Sequence, residues 1–267
     1  MPQQTFDNFI DLKNYFNNSP STKSDDSLIK SMIDLGKMMD EDISDGIKLL
    51  KRKYPSHSLL NISIIHSLIW SGHAIDAPQF YLNSLEYLKR GKESYLEKAI
   101  AKSGRFGEES LKHVLKGWFV ILENFGDYDF ARIKADRIVQ LQEIIWKLTY
   151  NLLNENMIRG IGNWLLLAPF KIIVAYRRTL WENKNIDQLR MPLGLEVIRG
   201  IHKLMRKKSK YLDGFAGYMF YEQEKNFLED KTVVEIVHNI SRKIAEDYDT
   251  RAIHVNSGLY LLGKDEI

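Results

Sequence analysis

Along most of the chain, apolar residues recur every three or four positions, the period of an α-helix buried on one side. Strand-like alternation is rare, so the fold class read from the pattern is all-α. Residues 27–53 predict one or two helices with a core-facing stripe of Ile43, Ile47 and Leu50. Tyr54-Pro55-Ser56 ends them, and SLLNISIIHSLIWSG predicts a helix closed by Gly72. Further helices are predicted at 78–102, 108–124, 131–154, 163–183, 193–208, 214–228 and 231–247, with a last one at 254–264. The connections are short, as at 103–107 (SGRFG) and 124–129 (NFGDYD), while the Asn/Ser-rich stretch at 17–27 reads as a linker.

The most apolar run, Trp164 to Tyr176 (WLLLAPFKIIVAY), is too short to span a bilayer and carries Lys171, so no membrane partner is expected. Lys171 reads as a surface lysine with its stem along the helix; it also shares a helix face with Trp164, where an amine could serve a cleft. The first residues show no basic stretch followed by an apolar one, so a signal peptide is not expected and the reading is a soluble, cytoplasmic protein. Without cysteine the chain has no disulfide, zinc–thiolate site or cysteine-held iron–sulfur cluster. At 267 residues and 44% hydrophobic it can bury a full core without such staples, and two helical lobes fit its size.

Net charge is only +3, but its distribution is uneven. Residues 157–210 hold twelve Lys/Arg against three Asp/Glu, and residues 211–267 hold six against eleven. A polyanion should therefore meet the third quarter of the chain. A solvated basic helix face, such as RKKSK at 206–210, is the plainer explanation of the same feature.

Within that basic segment stands Gly160-Ile161-Gly162, between two helical patterns. Two glycines one residue apart permit a tight turn and expose backbone N–H groups at the start of the next helix. Those groups, with the helix dipole, make a seat for a phosphate. Ile161 would plug the turn into the core. An ordinary helix–helix turn can have the same sequence, and with no strand before it a dinucleotide fold is excluded.

Three pieces in order resemble the helix-hairpin-helix DNA-glycosylase superfamily: Lys134-Ala135 with Ile138, then Gly160-Ile161-Gly162-Asn163-Trp164, then Pro192-Leu193-Gly194 with Val197 and Arg199. Together they span Phe130 to Ile201, and a weaker similarity to archaeal 8-oxoguanine glycosylases extends to 64–72 and 258–264. The resemblance implies a two-lobed helical fold with a helix-hairpin-helix and a cleft between the lobes. One lobe would be a bundle of 57–185, the other 1–56 plus 186–267. It also implies double-stranded DNA as partner, no cofactor, and excision of a damaged, flipped base. Two positions depart from the superfamily pattern: Gly194 stands where its aspartate follows Pro-Val, and Trp164 where its bifunctional members carry lysine.

Cleaving an N-glycosidic bond builds positive charge on the sugar, so a carboxylate must stabilise it or activate water. Glu196 is the carboxylate nearest to position 194, although two residues of helix turn it by about 200°. Asp187, on the preceding loop, is the second candidate. The bland reading of Glu196 is an acid favouring its own helix dipole. Arg159, Gly160, Ile161, Gly162 and Asn163 are the candidate DNA contacts, with Arg177, Arg178 and Arg199 as weaker ones. Trp164, His66, Trp70 and Trp118 are candidates for a base pocket; core packing is the commoner role for each.

Other chemistry is thin. Glu235-Ile-Val-His238 is a single Glu-x-x-His unit where a di-iron bundle needs two, so no metal site is expected. Neither a P-loop nor a Gly-x-Ser-x-Gly elbow occurs. Three readings stand: a base-excision glycosylase, monofunctional if Trp164 is the guide; a DNA-binding protein of the same fold without catalysis; and an unrelated helical bundle that binds a protein or small molecule.

Overall fold

The computed structural model describes residues 25–126, 128–206 and 231–264. Among the described residues there are ten α-helices and no strand, so the fold is all-α. In chain order they are α1 (Asp25–Lys53), α2 (Leu59–Trp70), α3 (Pro78–Arg90), α4 (Glu93–Ile100), α5 (Gly107–Phe125), α6 (Ala135–Asn154), α7 (Asn163–Tyr176), α8 (Leu195–Arg206), α9 (Lys231–Asp247) and α10 (Ala252–Lys264). The predicted helix at 214–228 lies outside the described residues, as do most of the linker at 17–27 and of the RKKSK run. The chain divides into two compact units, Ile43–Pro192 and the residues before and after it, and α1 contributes to both.

In the unit Ile43–Pro192, α2 and α7 pack together at the centre. Both are apolar on nearly every side, and a helix without a polar face is stable only when enclosed. Of the 14 residues of α7, 12 are buried. The start of α2 is fixed by Ser58, whose Oγ accepts the Asn61 N–H at 3.1 Å, one of the amides a helix cannot satisfy internally. Helices α3 to α6 complete the unit, with Ile138, Leu141, Ile145, Trp146 and Leu152 as the buried stripe of α6.

Two predicted helices are shorter than expected. The stretch at 78–102 is broken into α3 and α4 by Gly91, which takes the left-handed conformation (φ 64°) and donates its N–H to Tyr87 O at 2.8 Å. The stretch at 163–183 ends at Tyr176 and continues as two 3₁₀ turns, Arg178–Glu182 and Lys184–Gln188. Arg177 marks that change. Its guanidinium turns back to donate to the carbonyls of Phe130 and Ile133, which anchors the loop before α6.

The other unit combines the part of α1 up to Asp42 with α8, α9 and α10. Helix α10 is buried along Ala252–Leu259 and again at Leu262 and Gly263. Backbone meets backbone here: a Cβ on Gly36 would collide with the carbonyl of His254, and one on Gly258 with that of Met32. A buried polar group bridges the same two helices. Asp40 Oδ2 lies 2.7 Å from His254 Nδ1, and Ser257 Oγ donates to Asp40 Oδ1 at 2.5 Å. All three side chains are enclosed.

Candidate nucleic-acid interface

The turn between α6 and α7 is built from the end of α6 outward. Asn156 takes a positive φ of 58°, and the N–H groups of Asn156 and Met157 close back on Leu153 and Leu152. Ile158 is buried, Arg159 and Gly160 are exposed, Ile161 is buried, and Gly162 is exposed again. Gly160 has φ 76°, a conformation that side chains resist. The alternation therefore pins the turn by its apolar residues and presents its glycines.

What receives Ile161 is Gly117, inside α5. A Cβ at Gly117 would stand 2.8 Å from Ile161 Cδ1 and 3.6 Å from the Arg159 carbonyl. The opposite wall is tight as well: a Cβ at Gly160 would meet Val114 Cγ2 at 3.3 Å and His113 Cβ at 3.6 Å. The hairpin thus lies along α5 at positions 113, 114 and 117.

Gly162 is the N-cap of α7, with extended backbone (φ −86°, ψ 177°) and open space where a Cβ would be. No side chain caps the helix, and its first turn holds no acid. That contrasts with α5, whose first turn carries Glu108 and Glu109 against the dipole. The start of α7 therefore carries neither a side-chain cap nor an acid against its dipole. Asn163 is 4% exposed, and Tyr150 donates its hydroxyl hydrogen to Asn163 Oδ1 at 3.3 Å. Its side chain faces inward, so its contribution at the turn is its backbone N–H.

The base-pocket candidates separate. His66 and Trp70 lie together on α2 with ring centroids 5.7 Å apart, both half-buried, and His66 Nδ1 is 2.8 Å from the Tyr81 hydroxyl. Burial drives the His66 pKa down to about 4, so its ring is neutral at neutral pH, and burial pushes the Tyr81 phenol up. Trp164 is half-buried in the first turn of α7. Trp118 is wholly enclosed, and its indole N–H finds no hydrogen-bond acceptor. A ring with no exposed surface offers nothing to a ligand in this conformation.

Of the carboxylates, Asp187 is half-buried in the second 3₁₀ turn of the unit that holds the hairpin. Glu196 belongs to the other unit, half-buried in the first turn of α8, where its backbone carbonyl touches Gly263.

The basic segment presents less charge than its sum. Arg177 holds backbone carbonyls; Arg178 lies 4.0 Å from Asp45 and over the Trp181 ring. Arg190 pairs with Glu143 and covers the Trp146 ring, and Lys203 donates to the Leu262 carbonyl at 2.8 Å. Lys171 corrects the surface-lysine reading: it is 3% exposed. Its helix is buried on every side, so no polar face exists along which its stem could reach water. The exposed arginine at the hairpin is Arg159.

Sequence reasoning missed His113 and Gly117. The signal for Gly117 was present, since a glycine inside an amphipathic helix costs about 1 kcal/mol relative to alanine and marks a close approach.

Among the described residues no group of three or more His, Asp or Glu could hold a metal ion, and no helix is long and apolar enough to cross a membrane. No family model, curated protein or solved structure matches the chain.

Proposed function

We propose that this chain binds duplex DNA through the Gly160–Gly162 hairpin and acts as a base-excision glycosylase of the helix-hairpin-helix kind. The observation that carries the binding half is the anchored turn: Ile161 locked against Gly117, with glycines exposed on both sides and the uncapped, acid-free start of α7 beyond. Backbone amides held this way can take a phosphate without reorganising, and Arg159 adds a charge beside them. Resemblance supports the excision half, with Glu196 or Asp187 as the carboxylate that stabilises the sugar cation or activates water. Trp164 in place of lysine favours hydrolysis.

The second reading, DNA binding without catalysis, is favoured by Gly194, which leaves the superfamily's aspartate position empty of chemistry. One set of measurements separates the readings. Affinity for a duplex should fall steeply as salt rises, because phosphate contacts release counterions. Absence of binding at low salt excludes both DNA readings. Incubation with duplexes carrying uracil, hypoxanthine, 8-oxoguanine or alkylated purines should then release a base. Release lost in Glu196→Gln or Asp187→Asn assigns the carboxylate, and a borohydride-trapped adduct overturns the hydrolytic mechanism. Binding with no release across the panel selects the non-catalytic reading.

A further inference from the structure

Beside the hairpin stands one titratable side chain that the sequence pattern did not single out. His113 lies on α5, and its Cβ is 3.6 Å from where a Cβ of Gly160 would be, so the imidazole leaves the helix next to the exposed turn. Its side chain is 42% exposed, and its Nε2 lies 3.3 Å from Glu109 Oε1, on a carboxylate that is itself 69% exposed. An exposed pair one helical turn apart contributes little, so a stronger anion displaces it readily. Of the neighbouring cations on α5, Lys116 is 2.6 Å from Glu93, and Lys112 shares Glu109 at 3.6 Å. Arg159 is the exposed charge on the hairpin's own side.

Resting on the DNA-binding reading above, we propose that His113 is a second phosphate-contacting residue of the hairpin. Its ring N–H would donate to a backbone phosphate next to the one seated on the α7 amides, while Glu109 holds the imidazole when DNA is absent. Two strand contacts from separate elements, α5 and the hairpin, fix the register of the backbone where one contact leaves it free to pivot.

Two substitutions with opposite effects test this on the full chain. His113→Ala should weaken duplex binding about three- to tenfold, equally for all sequences, and His113→Lys should restore most of it. Glu109→Gln should tighten binding two- to threefold, because it removes the negative charge that competes for the ring and repels phosphate. A merely structural histidine would shift the thermal midpoint instead, which should stay within a degree or two for these exposed positions. If wild-type binds DNA and Arg159→Ala weakens it while the His113 and Glu109 variants bind like wild-type, the His113 assignment is wrong and the hairpin reading stands. If wild-type does not bind DNA, both fall.

Discussion

The imidazoles of His66 and His73 are both held neutral by burial, each with its pKa near 4 against an ordinary value of 6.5. For His73 the Arg105 guanidinium adds to the effect. In the unfolded chain both rings take up a proton at the ordinary value, so acid favours the unfolded state through this window. Stability should therefore be fully present above about pH 6.5 and decline as the pH falls towards 4, by up to about 3 kcal/mol for each ring. Urea unfolding at stepped pH measures it, and His66→Gln should flatten part of the slope; an unchanged slope would refute the assignment. Neither environment was legible from the residues alone. The sequence offers His66 as a pocket candidate beside Trp70, and the pairing with Tyr81 adds a partner from α3 that no local pattern announces.

At the scale of elements, glycine substitution divides by backbone conformation. Gly91 ends α3 at φ 64°, and a Cβ there would stand 2.5 Å from Phe119 Cζ; Gly46 lies inside α1 with open space around it. Gly91→Ala should lower stability by about 1–3 kcal/mol. Gly46→Ala should raise it by about 0.5–1 kcal/mol, because the helical conformation is already suitable and the unfolded chain loses freedom. Thermal melts of the two variants should shift in opposite directions. Most helices were legible because an apolar period of three to four survives whatever the helix packs against, and α5 was predicted at 108–124 and observed as Gly107–Phe125. Their ends were less so. Gly91 could be read as a helical residue or a terminator, and the conversion of 177–188 to 3₁₀ turns follows from Arg177 reaching a loop over 40 residues earlier. The burial of Lys171 was legible in principle. WLLLAPFKIIVAY has no polar face, and that pattern should outweigh the usual habit of lysine.

Across the whole molecule, the unit formed from both chain regions depends on the Asp40 group. Removing that carboxylate takes a buried acceptor from His254 and Ser257, and breaking a buried pair costs about 3–5 kcal/mol. Asp40→Ala should thus strip hydrogen-exchange protection from α10 while α2 and α7, in the other unit, keep theirs; equal loss in all three helices would show that the chain opens as one body. The Asp40 group could not have been found from spacing, since its members are 214 and 217 residues apart. The same holds for the candidate site: the glycines of the hairpin were visible in sequence, but the notch at Gly117 and the imidazole at His113 lie on a helix that only the fold brings to them.

The separation between Asp40 and His254 also sets an order of events during synthesis. A ribosome adds roughly 5–20 residues each second, so Asp40 is made some ~10–40 s before its partner 214 residues later. By the later part of that interval the unit Ile43–Pro192 has all its own helices, whereas the first part of α1 still lacks the backbone of α10 against which it closes. Until α10 emerges, Met32 and Gly36 lack the backbone they close against, which makes that stretch of the nascent chain a natural substrate for a chaperone and a place where a slowed ribosome would cause aggregation.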